Sequence, residues 1–302
     1  MRRTGAIVGG LLAALIVLAV VNERFFPVPE APRRGRPSHP SVRPASEANG
    51  IVLRVMTYNI WMSGARRGPV FLRPQHVAER VRRMGELIRA HRPDLVFLQE
   101  VAQEAGPGSF DQTPQLAEAA GMHMWSFGAS VNTGLPFYRL VRGNAILSRW
   151  PPEVVTNQPL PGRPLLRRIG IQYRTLWCRT LLGGREVLLA SVHLTALFSG
   201  TRPRQMEQIL DFAGDQPALL AGDFHAEPDR PALDRLLATD KFTAPLDGSP
   251  TCPSRAPRRQ IDYLFAPADW QLLEYTVIPS DLSDHLPVLA TYRVPGPNEA
   301  TP

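Results

Sequence analysis

Residues able to act as acids, bases or cation ligands stand at the ends of apolar runs throughout this chain. Asn59 ends Val-Met-Thr-Tyr-Asn, Glu100 ends Leu-Val-Phe-Leu-Gln-Glu, His193 ends Leu-Ala-Ser-Val-His, and Asp223 ends Leu-Leu-Ala-Gly-Asp. Asp262 lies inside Gln-Ile-Asp-Tyr-Leu-Phe, and Ser283, Asp284 and His285 directly precede the last apolar run. An ionisable group beside a strongly apolar segment is costly unless it is paired, hydrogen-bonded or bound to a cation, so these positions ask for a common explanation. Taken singly, each has an ordinary meaning: a turn or cap residue, a satisfied histidine, a surface carboxylate. Yet three of the seven histidines, His193, His225 and His285, fall inside these short motifs.

Attack of water on a phosphate ester uses such a set. The oxygen donors Glu100 and Asn59 suit a hard cation such as Mg²⁺, with Mn²⁺ as the alternative, and no Cys/His cluster suggests zinc. Asp223 can take the proton of the attacking water, and His285 can meet charge developing on the phosphate. Asp262 would orient His285 and keep it cationic.

Short strands and amphipathic helices must carry these groups. Ile51–Tyr58 reads as a strand, Pro74–His91 as a helix with Val77, Val81, Met84 and Ile88 on one face, and Asp94–Leu98 as a second strand. Further strands are expected at Asn144–Leu147, Ile171–Thr180, Glu186–Val192, Ala218–Ala221, Ile261–Phe265 and Val288–Tyr292. A helix is expected at Pro203–Ala213. Many short strands with few helices imply packed sheets with helices outside.

Around this body, residues 51–294, the composition changes. Gly5–Val21 is a run of seventeen residues without a charge, preceded by Arg2 and Arg3, which is long enough to span a bilayer. With no convincing cleavage site, residues 1–24 are expected to form an uncleaved N-terminal transmembrane anchor with the catalytic body outside the cytoplasm. Residues 25–50 hold six prolines and read as an extended linker, too proline-dense for helix or sheet, and 295–302 as a flexible tail. After position 50 there are 27 basic against 24 acidic residues, too even a balance for a protein that grips duplex DNA mainly through its phosphates. The local run Arg163, Arg167, Arg168, Arg174, Arg179 is either a solvated face or an anion-binding one. Cys178 and Cys252 permit one disulfide in an oxidising compartment or remain two thiols.

The ordered series Thr57-Tyr58-Asn59-Ile60, Leu98-Gln99-Glu100, Asn144-Ala145-Ile146-Leu147-Ser148-Arg149, Ser191-Val192-His193-Leu194, Gly222-Asp223-Phe224, Ile261-Asp262-Tyr263-Leu264 and Ser283-Asp284-His285-Leu286-Pro287 resembles the endonuclease/exonuclease/phosphatase superfamily. DNase I-like nucleases, abasic-site endonucleases, inositol polyphosphate phosphatases and neutral sphingomyelinases belong to it. The resemblance implies an α/β fold, a four-layered sandwich of two packed β-sheets flanked by helices, with the site at one rim. By the same resemblance Glu100 is the principal metal ligand, with Asn59 nearby and Asp284 close to metal or phosphate. Asp223 activates water, His193 contacts the scissile phosphate, and Asp262 and His285 form the carboxylate–histidine pair. One departure stands out. The family pattern Gly-Asp-Phe-Asn reads Gly222-Asp223-Phe224-His225 here, which makes His225 a candidate phosphate-binding donor.

The function expected from these residues is Mg²⁺-dependent phosphodiester or phosphomonoester hydrolysis near the membrane, on lipid head groups or lipid-linked phosphates. An extracytoplasmic nuclease and a non-catalytic membrane-tethered binding module are the alternatives. No protein partner is expected.

Overall fold

The computed structural model describes residues 17, 21–22, 24–35, 50–64, 74–106, 111–135 and 138–296. Two mixed β-sheets form its centre. The first contains β1 (Arg33–Arg34), β2 (Ile51–Asn59), β3 (Leu95–Gly106), β4 (Met124–Leu135), β5 (Tyr138–Ser148), β12 (Gln271–Val277) and β13 (Val288–Val294), in the order β1-β4-β5-β3-β2-β13-β12. The second contains β6 (Glu153–Pro159), β7 (Arg174–Leu182), β8 (Arg185–His193), β9 (Ala218–Asp223), β10 (Phe242–Thr243) and β11 (Asp262–Pro267), in the order β10-β11-β9-β8-β7-β6. Within each sheet one parallel pair, β2 with β3 and β8 with β9, lies among antiparallel neighbours.

Alternation along the strands sends side chains into three apolar layers. Leu53, Val55, Leu95 and Phe97 face Leu176, Cys178, Leu189 and Leu219 between the sheets. On the outer side of the first sheet, Met56, Tyr58, Val96 and Leu98 pack under helix α1 (Pro74–His91) and helix α2 (Gln112–Ala120). Trp177, Leu188, Ala190 and Leu220 pack under α4 (Arg202–Ala213) and α5 (Pro231–Leu237), which follow the single-turn α3 (Pro164–Arg168). Helix, sheet, sheet, helix is therefore the order of layers, as a sandwich requires. In α1 the spacing of Val81, Met84 and Ile88 buries one stripe, while Arg89 and His91 in the last turn complement the helix dipole. Asp111 caps α2 by accepting from the Thr113 N–H, and Gly121 ends it in a left-handed conformation.

Several sequence expectations need correction. Ile171 makes only an isolated bridge to Val131, and the expected strand begins at Arg174. The segments 102–113 and 156–168, for which the sequence pattern indicates neither strand nor helix, contain the ends of β3 and β6, the start of α2 and all of α3. The arginine run does not form one patch. Arg174 is buried and donates to Asn157 O at 2.8 Å, and Arg179 pairs with Glu153 and Glu186, which leaves Arg163 just before α3 and Arg167 and Arg168 in its last turn. Cys178 and Cys252 are separate buried thiols.

The proline-rich stretch also departs from the expected free linker. Arg33 and Arg34 pair with β4 as an edge strand, and Arg33 reaches Asp111 at 2.7 Å. Pro27 O accepts from Asn132 Nδ2 at 2.7 Å. Asn22 is fully engaged, donating to Gly134 O at 3.2 Å and accepting from Gly134 N at 2.9 Å. Proline density removes donors from a segment but leaves its carbonyls able to accept from a neighbouring strand. Among the described residues no helix is long and apolar enough to cross a membrane. The expected span 5–21 lies outside them apart from residues 17 and 21, as do residues 36–49 of the linker and 297–302 of the tail.

Gly222 is required just before the end of β9. Its φ is +152°, and a Cβ there would lie 1.9 Å from Val192 O on β8. Gly222→Ala is expected to destabilise the domain by about 3 kcal/mol or to prevent folding, read as a fall in the urea midpoint; an unchanged midpoint would show that β8 and β9 can part without penalty.

Candidate active site

On the inner face of the second sheet, apolar residues give way to polar ones toward the C-terminal end of the central strands. Leu189, Ser191 and His193 share that face on β8, and Leu219, Ala221 and Asp223 share it on β9. Strand register sets His193 beside Asp223 and Asp223 beside Asp262, so three chemical groups form one row across β8, β9 and β11. From the facing sheet, Asn59 follows Leu53, Val55 and Thr57 on the inner parity of β2. Beneath them Gln99 ties the sheets together, accepting from Thr57 Oγ1 and donating to Ser191 Oγ, both at 3.3 Å.

Glu100 breaks the alternation. Strict pleating would send it outward with Leu98, but β3 is irregular between Leu98 and Val101, and Glu100 has a φ of +55°. A bulge with a left-handed non-glycine residue re-aims the side chain, here toward His193. Glu100 Oε1 lies 3.9 Å from His193 Nε2. His225 is also left-handed, with φ +48°, and its ring folds back over Asp223.

Asp223 is the hub. Its Oδ2 accepts from Asn59 Nδ2 at 3.1 Å and lies 3.3 Å from His225 Nε2, 3.6 Å from His285 Nε2 and 4.0 Å from His193 Nε2. Its Oδ1 accepts from the His225 N–H at 2.9 Å. His285 Nδ1 lies 2.9 Å from Asp262 Oδ2, and that same oxygen accepts from Thr251 Oγ1 at 2.6 Å. Ser283 Oγ donates to Asn59 O at 2.7 Å and so fixes the loop carrying Asp284 and His285 against the end of β2.

These contacts set the charge states. Burial would push Asp223 up, but the three histidines around it and the His225 N–H hold it down at about 2, so it is ionised at neutral pH. Burial would likewise push His285 down, yet Asp262 and Asp223 hold it well above the ordinary histidine value. Burial and the Asp223 charge push Asp262 up, opposed by His285, so the pair keeps one proton, assigned to His285 Nδ1. His193 is different. Burial pushes it down to about 4 and it stands neutral.

The predicted oxygen ligands reach the same rim. Burial would raise Glu100, but Arg142 Nη1, 2.8 Å from its Oε2, together with His193, holds it below the usual range. Asn59 Oδ1 accepts from the Trp61 N–H at 3.0 Å and keeps a second lone pair. Burial pushes Asp284 up, and the charge of Glu100 adds to this. A half-buried carboxylate, a second carboxylate that feels its charge and an amide oxygen fit a hard divalent cation, provided Arg142 yields one Glu100 oxygen. Other candidate cation groups are His193 with Asp223 and His225, and Asp223 with Asp262 and His285, whose ligand atoms lie within 4.8 Å of one another.

Arg142 and Thr251 were absent from the residues read out of the sequence. Arg142 sits in mid-strand, and only the β3–β5 pairing brings it to Glu100. Thr251 lies in a loop between β10 and β11, and its sole sequence signal is the threonine before Cys252-Pro253. A cleft of about 620 Å³ opens beside His225, lined by Arg202, Arg230, Arg259 and Glu227. A second, of about 350 Å³, lies beside Asp284 and is lined by Trp61, Arg80 and Arg255.

The profile of the Endonuclease/Exonuclease/phosphatase family matches residues 56–285, from the inner strand β2 to the site histidine. The chain belongs to this family. Among solved structures, an endonuclease/exonuclease/phosphatase from Beutenbergia cavernae DSM 12333 is 27% identical, with a TM-score of 0.67 over 81% of this chain and 72% of that one. A mannosyl-6-phosphatase from Bacteroides thetaiotaomicron VPI-5482 shares the fold at 17% identity, TM-score 0.60, over 80% of this chain and 99% of that one. The human Nocturnin catalytic domain with bound sulfate does so at 18% identity, TM-score 0.57, over 80% and 93%. No curated protein matches the chain in sequence. The endonuclease/exonuclease/phosphatase family includes phosphatases and nucleases, both of them hydrolases.

Proposed function

We propose that this endonuclease/exonuclease/phosphatase member hydrolyses a phosphate ester borne by a lipid or lipid-linked head group, with Mg²⁺, at a membrane surface outside the cytoplasm. The observation that carries the hydrolytic reading is the Asp223 hub: an ionised, wholly buried carboxylate of the second sheet held between Asn59 on β2 and a cationic His285 on the loop before β13, both belonging to the first sheet. Asp223 Oδ2 accepts the proton of the attacking water. His285, kept protonated by Asp262 and Asp223, donates through Nε2 to the oxygen on which charge builds. Neutral His193, His225 and Arg142 bind the remaining phosphate oxygens. Glu100, Asn59 and Asp284 would hold the cation, which supplies neutralisation of phosphate charge as a Lewis acid.

The membrane setting rests on where the N-terminal segment meets the body. The apolar run 5–21 leads directly into Asn22, which is hydrogen-bonded to Gly134. Gly134 pairs with Arg139 three positions along the hairpin from the pair Val131–Arg142. At strand spacing this is about 10 Å from the arginine that touches Glu100. An anchor ending there would hold the rim at the lipid surface.

In the test, the full-length chain is incubated with Mg²⁺ and either phosphatidic acid vesicles, the short-chain soluble analogue, or single-stranded and plasmid DNA. Vesicle phosphate is expected to be released at least about tenfold faster than phosphate from the soluble analogue, because tethering raises the effective concentration. Digestion of DNA with untouched vesicles would favour the nuclease, and absence of divalent-cation binding in calorimetry the non-catalytic module.

A further inference from the structure

The His225 departure has a geometric consequence beyond phosphate contact. His225 Nε2 stands 3.2 Å from His193 Nε2 and 3.3 Å from Asp223 Oδ2, and His193 Nε2 lies 4.0 Å from that oxygen. Two imidazole nitrogens and a carboxylate oxygen thus face a common point, and Asp223 and His193 are buried. A tetrahedral first-row cation with bonds of roughly 2.0–2.1 Å holds neighbouring ligand atoms about 3.3 Å apart. Two of the three edges match that separation, and the third requires less than about 1 Å of closure, within reach of a small ring rotation.

The donor types also select. Imidazole nitrogens suit zinc, copper, iron and nickel, whereas Mg²⁺ and Mn²⁺ prefer oxygen and water. With asparagine at position 225 only one imidazole would remain at this point, so the softer character belongs to this chain's own residue. We propose that His193 Nε2, His225 Nε2 and Asp223 Oδ2 form a site for a first-row transition cation, separate from the oxygen-donor position at Glu100, Asn59 and Asp284. Glu100 Oε1, 3.9 Å from His193 Nε2, lies between the two positions. Occupancy commits Asp223 Oδ2 to the cation and so withdraws it as the proton acceptor of the proposed hydrolysis; binding itself is read without turnover.

The experiment reads binding alone. The full-length chain, stripped with EDTA and dialysed, is titrated with Co²⁺ in the presence of excess Mg²⁺, and the visible d–d absorption of bound cobalt is followed. Saturation near one equivalent is expected in wild type and in Glu100→Gln, with at least tenfold weaker binding in His225→Asn and in His193→Gln. The same proteins are melted with and without Zn²⁺, which should raise the Tm of wild type and Glu100→Gln only. Equal Tm values in EDTA establish that the histidine variants fold; a variant that melts early is set aside and the other decides. Absence of cobalt absorption in wild type, or equal affinity in a folded His225→Asn protein, would overturn the site and leave a hydrogen-bonded imidazole pair.

Discussion

Asp223→Asn is expected to lower kcat roughly a thousandfold while the domain keeps its fold, the magnitude typical of removing a positioned general base. The substitution preserves size, and the acceptor for the His225 N–H remains as the amide oxygen. What disappears is the charge at the centre of three imidazoles. Because the carboxyl sits at about 2, wild-type activity should hold its ionised base throughout the neutral range, and no acid limb near pH 4 should be traceable to Asp223. Steady-state kinetics on bis-p-nitrophenyl phosphate, with circular dichroism as the fold control, measure this. A loss of less than about tenfold would mean that another group takes the proton.

Asp262→Asn should lower kcat about a hundredfold at pH 7.5, and the loss should shrink on acidification. In the wild type His285 is held well above its ordinary value, so its cationic form is complete at low pH and is lost as pH rises through that raised value. Removing the Asp262 charge leaves burial to push His285 down, opposed by Asp223 alone among the carboxylates bonded to or facing its ring. The alkaline limb of kcat therefore moves to lower pH. Thr251, whose hydroxyl bonds Asp262 at 2.6 Å, should show a weaker version of the same shift when changed to Val. An equal loss at every pH would mean that Asp262 only orients the ring.

The site was legible because β2, β8 and β9 each end in a polar residue on the buried parity. Leu219, Ala221, Asp223 and Leu53, Val55, Thr57, Asn59 carry that signal in sequence alone. Glu100 was legible as a strand-end carboxylate, although the strand runs on to Gly106 and the bulge that turns the side chain inward has no local signature. Arg142 was invisible for a related reason: its meaning comes from a neighbouring strand. Edge strands were the hardest elements. In β12, Gln271, Leu272, Leu273 and Glu274 are all exposed, so no inward alternation marks the strand. The strap at residues 24–35 is likewise held by carbonyls and a two-residue pairing, which composition does not encode. The long, strongly periodic α1 emerged with its boundaries intact, because its buried stripe repeats over many turns.

The central claim, a cation-dependent phosphoester hydrolase centred on Asp223 and Glu100, is tested most directly by hydrolysis of bis-p-nitrophenyl phosphate with Mg²⁺ and with EDTA. Wild type, Asp223→Asn and Glu100→Gln are compared under both conditions. The account predicts turnover in wild type that EDTA abolishes and Mg²⁺ restores, and that both substitutions remove. Turnover that survives EDTA, or that either folded variant retains at the wild-type level, would contradict it.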